Sequence, residues 1–248
     1  MKLSVLLDYT SQLLEPARFS DYCPNGLQVQ GRAEVKVLVS GVSASLAFLE
    51  QAAEAGADAV LVHHGWFWKN EDARVVGTKH TRLKFLLERD ISLIAYHLPL
   101  DAHVELGNNA QLAKKLGFEL QGWSGQQNIL AHGRLPQALT LKALSEHVQN
   151  VLKRAPFVVG EADKIIQTIA WCTGAAQDYL AQALELGVDA FLTGEVSEQT
   201  VHLARESGVA FIAAGHHATE RYGVQALGQH LADNFGLKHT FIDVDNPI

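Results

Sequence analysis

Residues 37–65 read VLVSGVSASLAFLEQAAEAGADAVLVHHG. The β-branched opening predicts a strand, the Ala- and Leu-rich middle predicts a helix that Gly56 stops, and the run from Ala59 to Val62 predicts a second strand. Strand, helix and strand in that order make a βαβ unit, and its two strands lie parallel because the helix carries the chain back across the sheet. Residues 169–196, IAWCTGAAQDYLAQALELGVDAFLTGEV, repeat the order. Aligning Gly56 with Gly187 sets Asp58 on Asp189 and the His63–His64 pair on Gly194–Glu195. Each half then continues through a helix to an apolar strand, SLIAY at 92–96 or VAFIAAG at 209–215. A histidine follows with a carboxylate four residues on, His97 to Asp101 and His216 to Glu220, and then a closing helix, at 107–116 or 224–235. Duplication accounts for this ordered repetition better than coincidence.

Strands that are apolar throughout and alternate with helices predict an α/β fold of two similar domains with mainly parallel sheets. The expected domains are residues 1–123 and 124–248. Residues 121–165 fit neither repeat, reading as a loop, a strand (NILAHGRL), a helix capped by Thr140 (TLKALSEHVQNVLK) and a further strand (PFVVG). The first half also carries an aromatic and charged insertion, Trp66 to His80, between its strand and helix.

With 248 residues, 48% of them hydrophobic, the chain can bury two cores. A net charge of -7 with scattered Lys and Arg provides no footprint for a phosphate backbone, so an extended nucleic acid is not the expected partner. Asp8 interrupts the amino-terminal apolar run, no stretch reaches the roughly 20 apolar residues that span a bilayer, and residues 1–22 read as an amphipathic helix. Cys23 and Cys172 form no CxxC motif and suit a reducing cytoplasm.

In open α/β sheets, ligands bind beyond the carboxyl ends of the strands. His63, His64, His97 and His216 all fall there, with Asp101 and Glu220 in the loop or helical turn that follows. Imidazole with carboxylate and without thiolate suits zinc, iron(II) or manganese in an open site rather than a closed structural zinc site. Adjacent His63 and His64 cannot point alike from a strand, so they suit two different ions, with Glu220 as the candidate bridging carboxylate. His97 reads as a ligand, an acid/base group or a structural hydrogen-bond partner. Glu195, at the repeat position of His64, is a candidate for orienting water or substrate. Trp66–Phe67–Trp68 could wall a pocket or pack in the core, and Ser40–Gly41–Val42–Ser43 is a turn that could meet a phosphate, although no GxxxxGK[ST] or GxGxxG pattern is present.

Five stretches carry a resemblance: SDYCPNGLQVQG at 20–31, GADAVLVHHGWFW at 56–68, HLPLDAHVELGNNAQLA at 97–113, and GVDAFLTGEVSEQ with AAGHHATERYG. Through them the sequence resembles the GTP cyclohydrolase 1 type 2 homologue family, in the YbgI-type short bacterial form of the Nif-three-like superfamily. The resemblance implies two similar α/β domains with a dinuclear metal site between them and a toroidal homohexamer built as a trimer of dimers, the site facing its interior. It implies two divalent ions per subunit, with His63, His64, Asp101, His216 and Glu220 as ligands. The domain that longer relatives insert between the halves has no counterpart in residues 121–165. The family name implies attack of water on C8 of GTP with release of formate. The expected function is thus a cytoplasmic metal-dependent hydrolase of purine nucleotides, using a metal-bound hydroxide, with His97 or Glu195 moving protons. Two other readings compete: a non-enzymatic metal-binding assembly that presents surfaces to partners, and a di-iron oxidase.

Overall fold

A computed structural model describes all residues, 1–248. The chain is an α/β protein that divides into two compact units, Met1–Gly107 with Gly223–Asp245, and Asn108–Tyr222 with Asn246–Ile248.

The first unit runs α1 (Leu3–Leu14), β1 (Gly26–Val29), β2 (Val37–Ser43), α2 (Leu46–Glu54), β3 (Ala59–His64), α3 (Gly77–Leu87), β4 (Ser92–Ala95) and the short α4 (Leu98–Ala102). In α1, Leu3, Leu6, Thr10 and Leu14 recur at helical spacing as the buried stripe, and the helix stops where Glu15 turns left-handed ahead of Pro16. Ser45 caps α2 by accepting a hydrogen bond from the Phe48 N–H at 3.3 Å. Gly41 in β2 leaves room for the Phe48 ring, since a Cβ there would lie 2.3 Å from it. Alternation along β3 sends Ala59 and Leu61 to one core, with Leu6, Leu38 and Ile94, and Val60 and Val62 to the other, with Phe48, Leu49 and Leu93. A fully buried contact such as Leu61 is worth about 2–5 kcal/mol against alanine.

The second unit runs α5 (Asn108–Leu116), β5 (Glu119–Ser124), β6 (Leu130–Thr140), α6 (Leu141–Leu152), β7 (Phe157–Val159), β8 (Ile165–Trp171), α7 (Leu180–Glu185), β9 (Ala190–Thr193), α8 (Glu198–Ser207) and β10 (Ala210–Ala213). The long α9 (His216–Phe235) follows, and its residues from Gly223 onward are grouped with the first unit, as is β11 (Lys238–Phe241). No helix is long and apolar enough to cross a membrane.

The sheets are ordered β1-β4-β3-β2-β11 and β5-β6-β8-β9-β10-β7. β2, β3 and β4 pair in parallel, with β1 antiparallel on β4; β8, β9 and β10 pair in parallel, with β7 antiparallel on β10. The repeat is therefore longer than the sequence pattern indicates. α6 and β7 are the counterparts of α1 and β1, and belong to the duplicated unit although residues 121–165 resist alignment. Their edge positions impose only a loose pattern, so the likeness survives in topology and not in residues. The sheets differ at their other margins: β11 adds a parallel strand on β2, while β6 and β5 add antiparallel strands on β8, so parallel pairing dominates the first sheet and only the centre of the second.

Packing divides the chain differently from a single cut between residues 123 and 124. Leu112, Ala113 and Leu116 of α5 join the second core and β5 pairs with β6, whereas Val224, Leu227 and Leu231 of α9 join the first core and β11 pairs with β2. Likewise α9 begins at His216 and not near Val224, because the helix passes through Gly223. Gly228 in its middle admits the His239 ring, to which a Cβ would come within 2.2 Å.

Candidate metal centre

In the first unit the strand-end residues converge. His63 is fully buried, and its Nδ1 lies 3.0 Å from the Tyr96 carbonyl oxygen. A carbonyl only accepts, so Nδ1 carries the hydrogen and, in the neutral ring, Nε2 presents its lone pair. That Nε2 faces Oδ1 of buried Asp101 at 3.5 Å. Asp101 is brought there by α4, which starts immediately after His97 with Pro99 in its first turn. Two groups so placed could share a cation, either a second proton on the imidazole or a metal ion. Donation of the other ring N–H to a backbone carbonyl is the usual setting of a metal-bound histidine.

His64, half-buried, turns its Nδ1 to the Ser43 hydroxyl at 3.0 Å. One ring nitrogen from each of His63, His64 and His97 lies within 4.8 Å of the others. His97 is tied differently: its Nδ1 donates to Oδ1 of Asp21 at 2.7 Å, and its backbone N–H to Oδ1 of Asn25 at 2.7 Å. Burial opposes the charge on Asp21, but the hydrogen bond and attraction of His97, with help from Asn25 and the Tyr22 N–H, outweigh it and hold the carboxyl at about 2. Asp21, Cys23 and His97 also lie within ligand distance of one another. Burial and the Asp21 charge push the Cys23 thiol up to about 12, so it offers no thiolate at neutral pH.

In the second unit, His216 opens α9 between two carboxylates. Its Nδ1 donates to Oε1 of Glu195 at 2.6 Å, and its Nε2 lies 3.0 Å from Oε2 of buried Glu220, one helical turn on. Burial disfavours the imidazolium, yet Glu220 first and Glu195 second raise His216 to about 9. Gly174, left-handed at φ +71, makes space for this group: a Cβ there would stand 2.0 Å from Oε1 of Glu220 and 3.3 Å from Nε2 of His216. Its N–H donates to Oγ1 of Thr219.

The first unit thus brings together His63, His64, His97 and Asp101, and the second His216, Glu195 and Glu220. Each set contains a histidine Nε2 set against a carboxylate oxygen, and in the first His63, His64 and His97 lie within ligand distance of one another, so that they could hold a metal ion. Sequence reasoning missed Asp21, Asn25 and Gly174. The first two lie in the quoted stretch 20–31, but nothing local ties that stretch to His97.

Two other expectations change. Residues 40–43 form part of β2 and not a turn: Gly41 pairs with Val62 and Ser43 with His64, Ser40 is buried against Nε2 of His239 at 2.8 Å, and the backbone N–H groups serve the sheet instead of a phosphate. The aromatic run also splits. Trp66 is core, its Nε1 donating to the Ala44 carbonyl, whereas Trp68 meets His97 nearly perpendicular, with ring centroids 5.1 Å apart.

The chain is 57% identical over 248 residues to the GTP cyclohydrolase 1 type 2 homolog of Pseudomonas aeruginosa, covering 99% of this chain and 98% of that one. Among solved structures it is similar to one described as protein ybgI of unknown function, with a TM-score of 0.96, 48% identity and full coverage of both chains. It is similar also to TTHA1606 from Thermus thermophilus, with a TM-score of 0.89, 33% identity and full coverage of both. The pattern of the Duf34/NIF3 (NGG1p interacting factor 3) family matches residues 1–247, and the chain belongs to that family.

Proposed function

We propose that the chain is a metal-dependent hydrolase acting on purine nucleotides, in which His63, His64 and Asp101 of the first unit and His216 and Glu220 of the second supply the ligands of two divalent ions. The observation that carries this reading is the buried approach of His63 Nε2 to the Asp101 carboxylate, two ligand atoms set where one ion can take both. The donor set, imidazole and carboxylate without thiolate, fits zinc, iron(II) or manganese. Such ions, when bound, lower the pKa of coordinated water toward neutrality and polarise the group under attack.

The chain's own residues do the rest. Tyr96 and Ser43 orient the two adjacent imidazoles through their Nδ1 atoms. His97 or Glu195 accepts and returns protons, and Trp68 packs against one side of His97. The name of the Pseudomonas aeruginosa relative supports GTP as the first substrate to try, with formate as the product. The resemblance noted above supports a homohexamer, a trimer of dimers, working in the cytoplasm.

Formate release from GTP by the metal-loaded chain tests the reading. Glu220→Gln should abolish it, and full activity in metal-stripped protein would overturn the mechanism. The family description, which names an interacting factor, supports a second reading as a metal-binding interaction protein. Full metal occupancy with no nucleotide turnover would favour that reading, and oxygen consumption strictly dependent on iron would favour an oxidase.

A further inference from the structure

The group of Asp21, Cys23 and His97 satisfies the distances of a metal site, and yet its hydrogen bonds already use it up. Oδ1 of Asp21 accepts from Nδ1 of His97 at 2.7 Å and from the Tyr22 N–H at 2.6 Å; Oδ2 accepts from the Leu98 N–H at 3.0 Å and from Nδ2 of Asn25 at 2.8 Å. A carboxylate has about four acceptor positions, and all four here meet donors. An ion on Asp21 would have to displace one of them. The Asp21 side chain is only 4% exposed, and Leu98 and Asn25 fix it to both flanks of His97, because Asn25 also accepts from the His97 N–H.

We propose that Asp21 is the positioning residue of the site: it locks His97 in the tautomer that carries its hydrogen on Nδ1, so that Nε2 is the atom that takes up and returns the reaction's proton. The inference rests on the hydrolase reading for its catalytic consequence and on geometry alone for the tautomer. With Nδ1 turned to Asp21, Nε2 is the nitrogen left for the imidazole cluster, whose ring centroids lie 5.0 Å (His63) and 5.8 Å (His64) from that of His97. The edge-on Trp68 ring packs against the same imidazole, so ring position and ring tautomer are both set. A base acting through Nε2 takes a proton from attacking water and passes the same proton to the leaving group, while the Nδ1 hydrogen stays bonded to Oδ1 of Asp21 throughout. A carboxylate on Nδ1 with Nε2 turned the other way is the arrangement that orients a histidine general base.

The test is nitrogen-15 NMR of the histidine rings in the full chain loaded with zinc, which is diamagnetic. His97 should show a slowly exchanging hydrogen on Nδ1 and an Nε2 that is neither protonated nor zinc-bound. Asp21→Ala should shift the ring toward the Nε2–H tautomer; should that variant not fold, Asp21→Asn carries the same test, since its amide places a donor among donors. Asn25→Ala removes the backbone clamp and should leave the tautomer unchanged, which a purely structural role for this cluster would not separate from Asp21. An Nε2–H or zinc-coordinated His97 in the unmodified chain, or a tautomer indifferent to both Asp21 substitutions, overturns the proposal. Where the chain releases formate from GTP, Asp21→Asn should lower kcat on the order of 10²-fold with KM within about twofold. No turnover by the unmodified chain would sink the hydrolase reading while the NMR result still decides the tautomer.

Discussion

Nε2 of His63 and Oδ1 of Asp101 face each other across 3.5 Å, while Nδ1 of the same ring is committed to the Tyr96 carbonyl. Removing the charge from Asp101 therefore removes the reason for a cation at this position. Asp101→Asn should weaken manganese or zinc binding by more than about 10²-fold, beyond the loss expected from an orienting partner alone. Titration calorimetry on stripped protein measures it, and unchanged affinity and stoichiometry would exclude Asp101 as a ligand.

Asp58 and Asp189 head equivalent strands and do the same work. Oδ2 of Asp58 accepts from the Lys36 and Val37 N–H groups at 2.8 and 2.9 Å; Oδ2 of Asp189 accepts from Gln167 and Thr168 at 3.0 and 2.8 Å. Burial works against each charge, but these donors, with Arg32 or Lys164 nearby, outweigh it and hold both carboxyls below their ordinary value. A carboxyl depressed in the folded state stabilises it above the unfolded value of about 4, and the contribution fades as pH falls through the folded value. Asp58→Asn and Asp189→Asn should each cost about 1–3 kcal/mol at pH 7 in urea denaturation, and less at pH 3. A cost that does not shrink with acid would show that charge plays no part.

Gly174 and Gly187 separate backbone strain from crowding. Both are left-handed, at φ +71 and +66, but a Cβ on Gly187 meets nothing within 4 Å while one on Gly174 meets Glu220. Alanine should cost about 1–2 kcal/mol at Gly187 from backbone strain alone, and more at Gly174, where buried Glu220 must also shift. Only Gly174→Ala should also lower metal occupancy, as read by elemental analysis. Equal occupancy in the two variants would mean that the Glu220 position has no bearing on binding.

His216, raised to about 9 between Glu220 and Glu195, is an imidazolium at neutral pH in metal-free protein. The raised value stabilises the metal-free fold fully below the ordinary 6.5 or so, and that contribution disappears as pH rises through about 9. A metal ion taken up on its Nε2 must displace the proton, so affinity should climb by up to about tenfold per pH unit between pH 7 and 9 and then level off. Glu195→Gln should bring the plateau to lower pH. Calorimetry in buffers of different ionisation enthalpy counts the released proton, and binding without proton release would remove His216 from the ligand set.

Much of the architecture was legible along the chain because it is local. Strand, helix and strand punctuated by Gly56 and Gly187, the cap at Thr140, and the spacing from His97 to Asp101 and from His216 to Glu220 are short-range patterns, each with a short-range cause. By itself the sequence determined two α/β repeats, strand-end histidines and the acids that follow them. Tertiary structure decided what sequence distance hides: β11 returning to pair with β2, α6 and β7 standing as counterparts of α1 and β1, and Asp21 reaching His97 from 76 positions away. The physical reason is that a hydrogen bond to a ring nitrogen leaves no period in the sequence. Which histidine nitrogen is committed and which is presented depends on a donor or acceptor delivered by another element, and only the folded chain brings the two together.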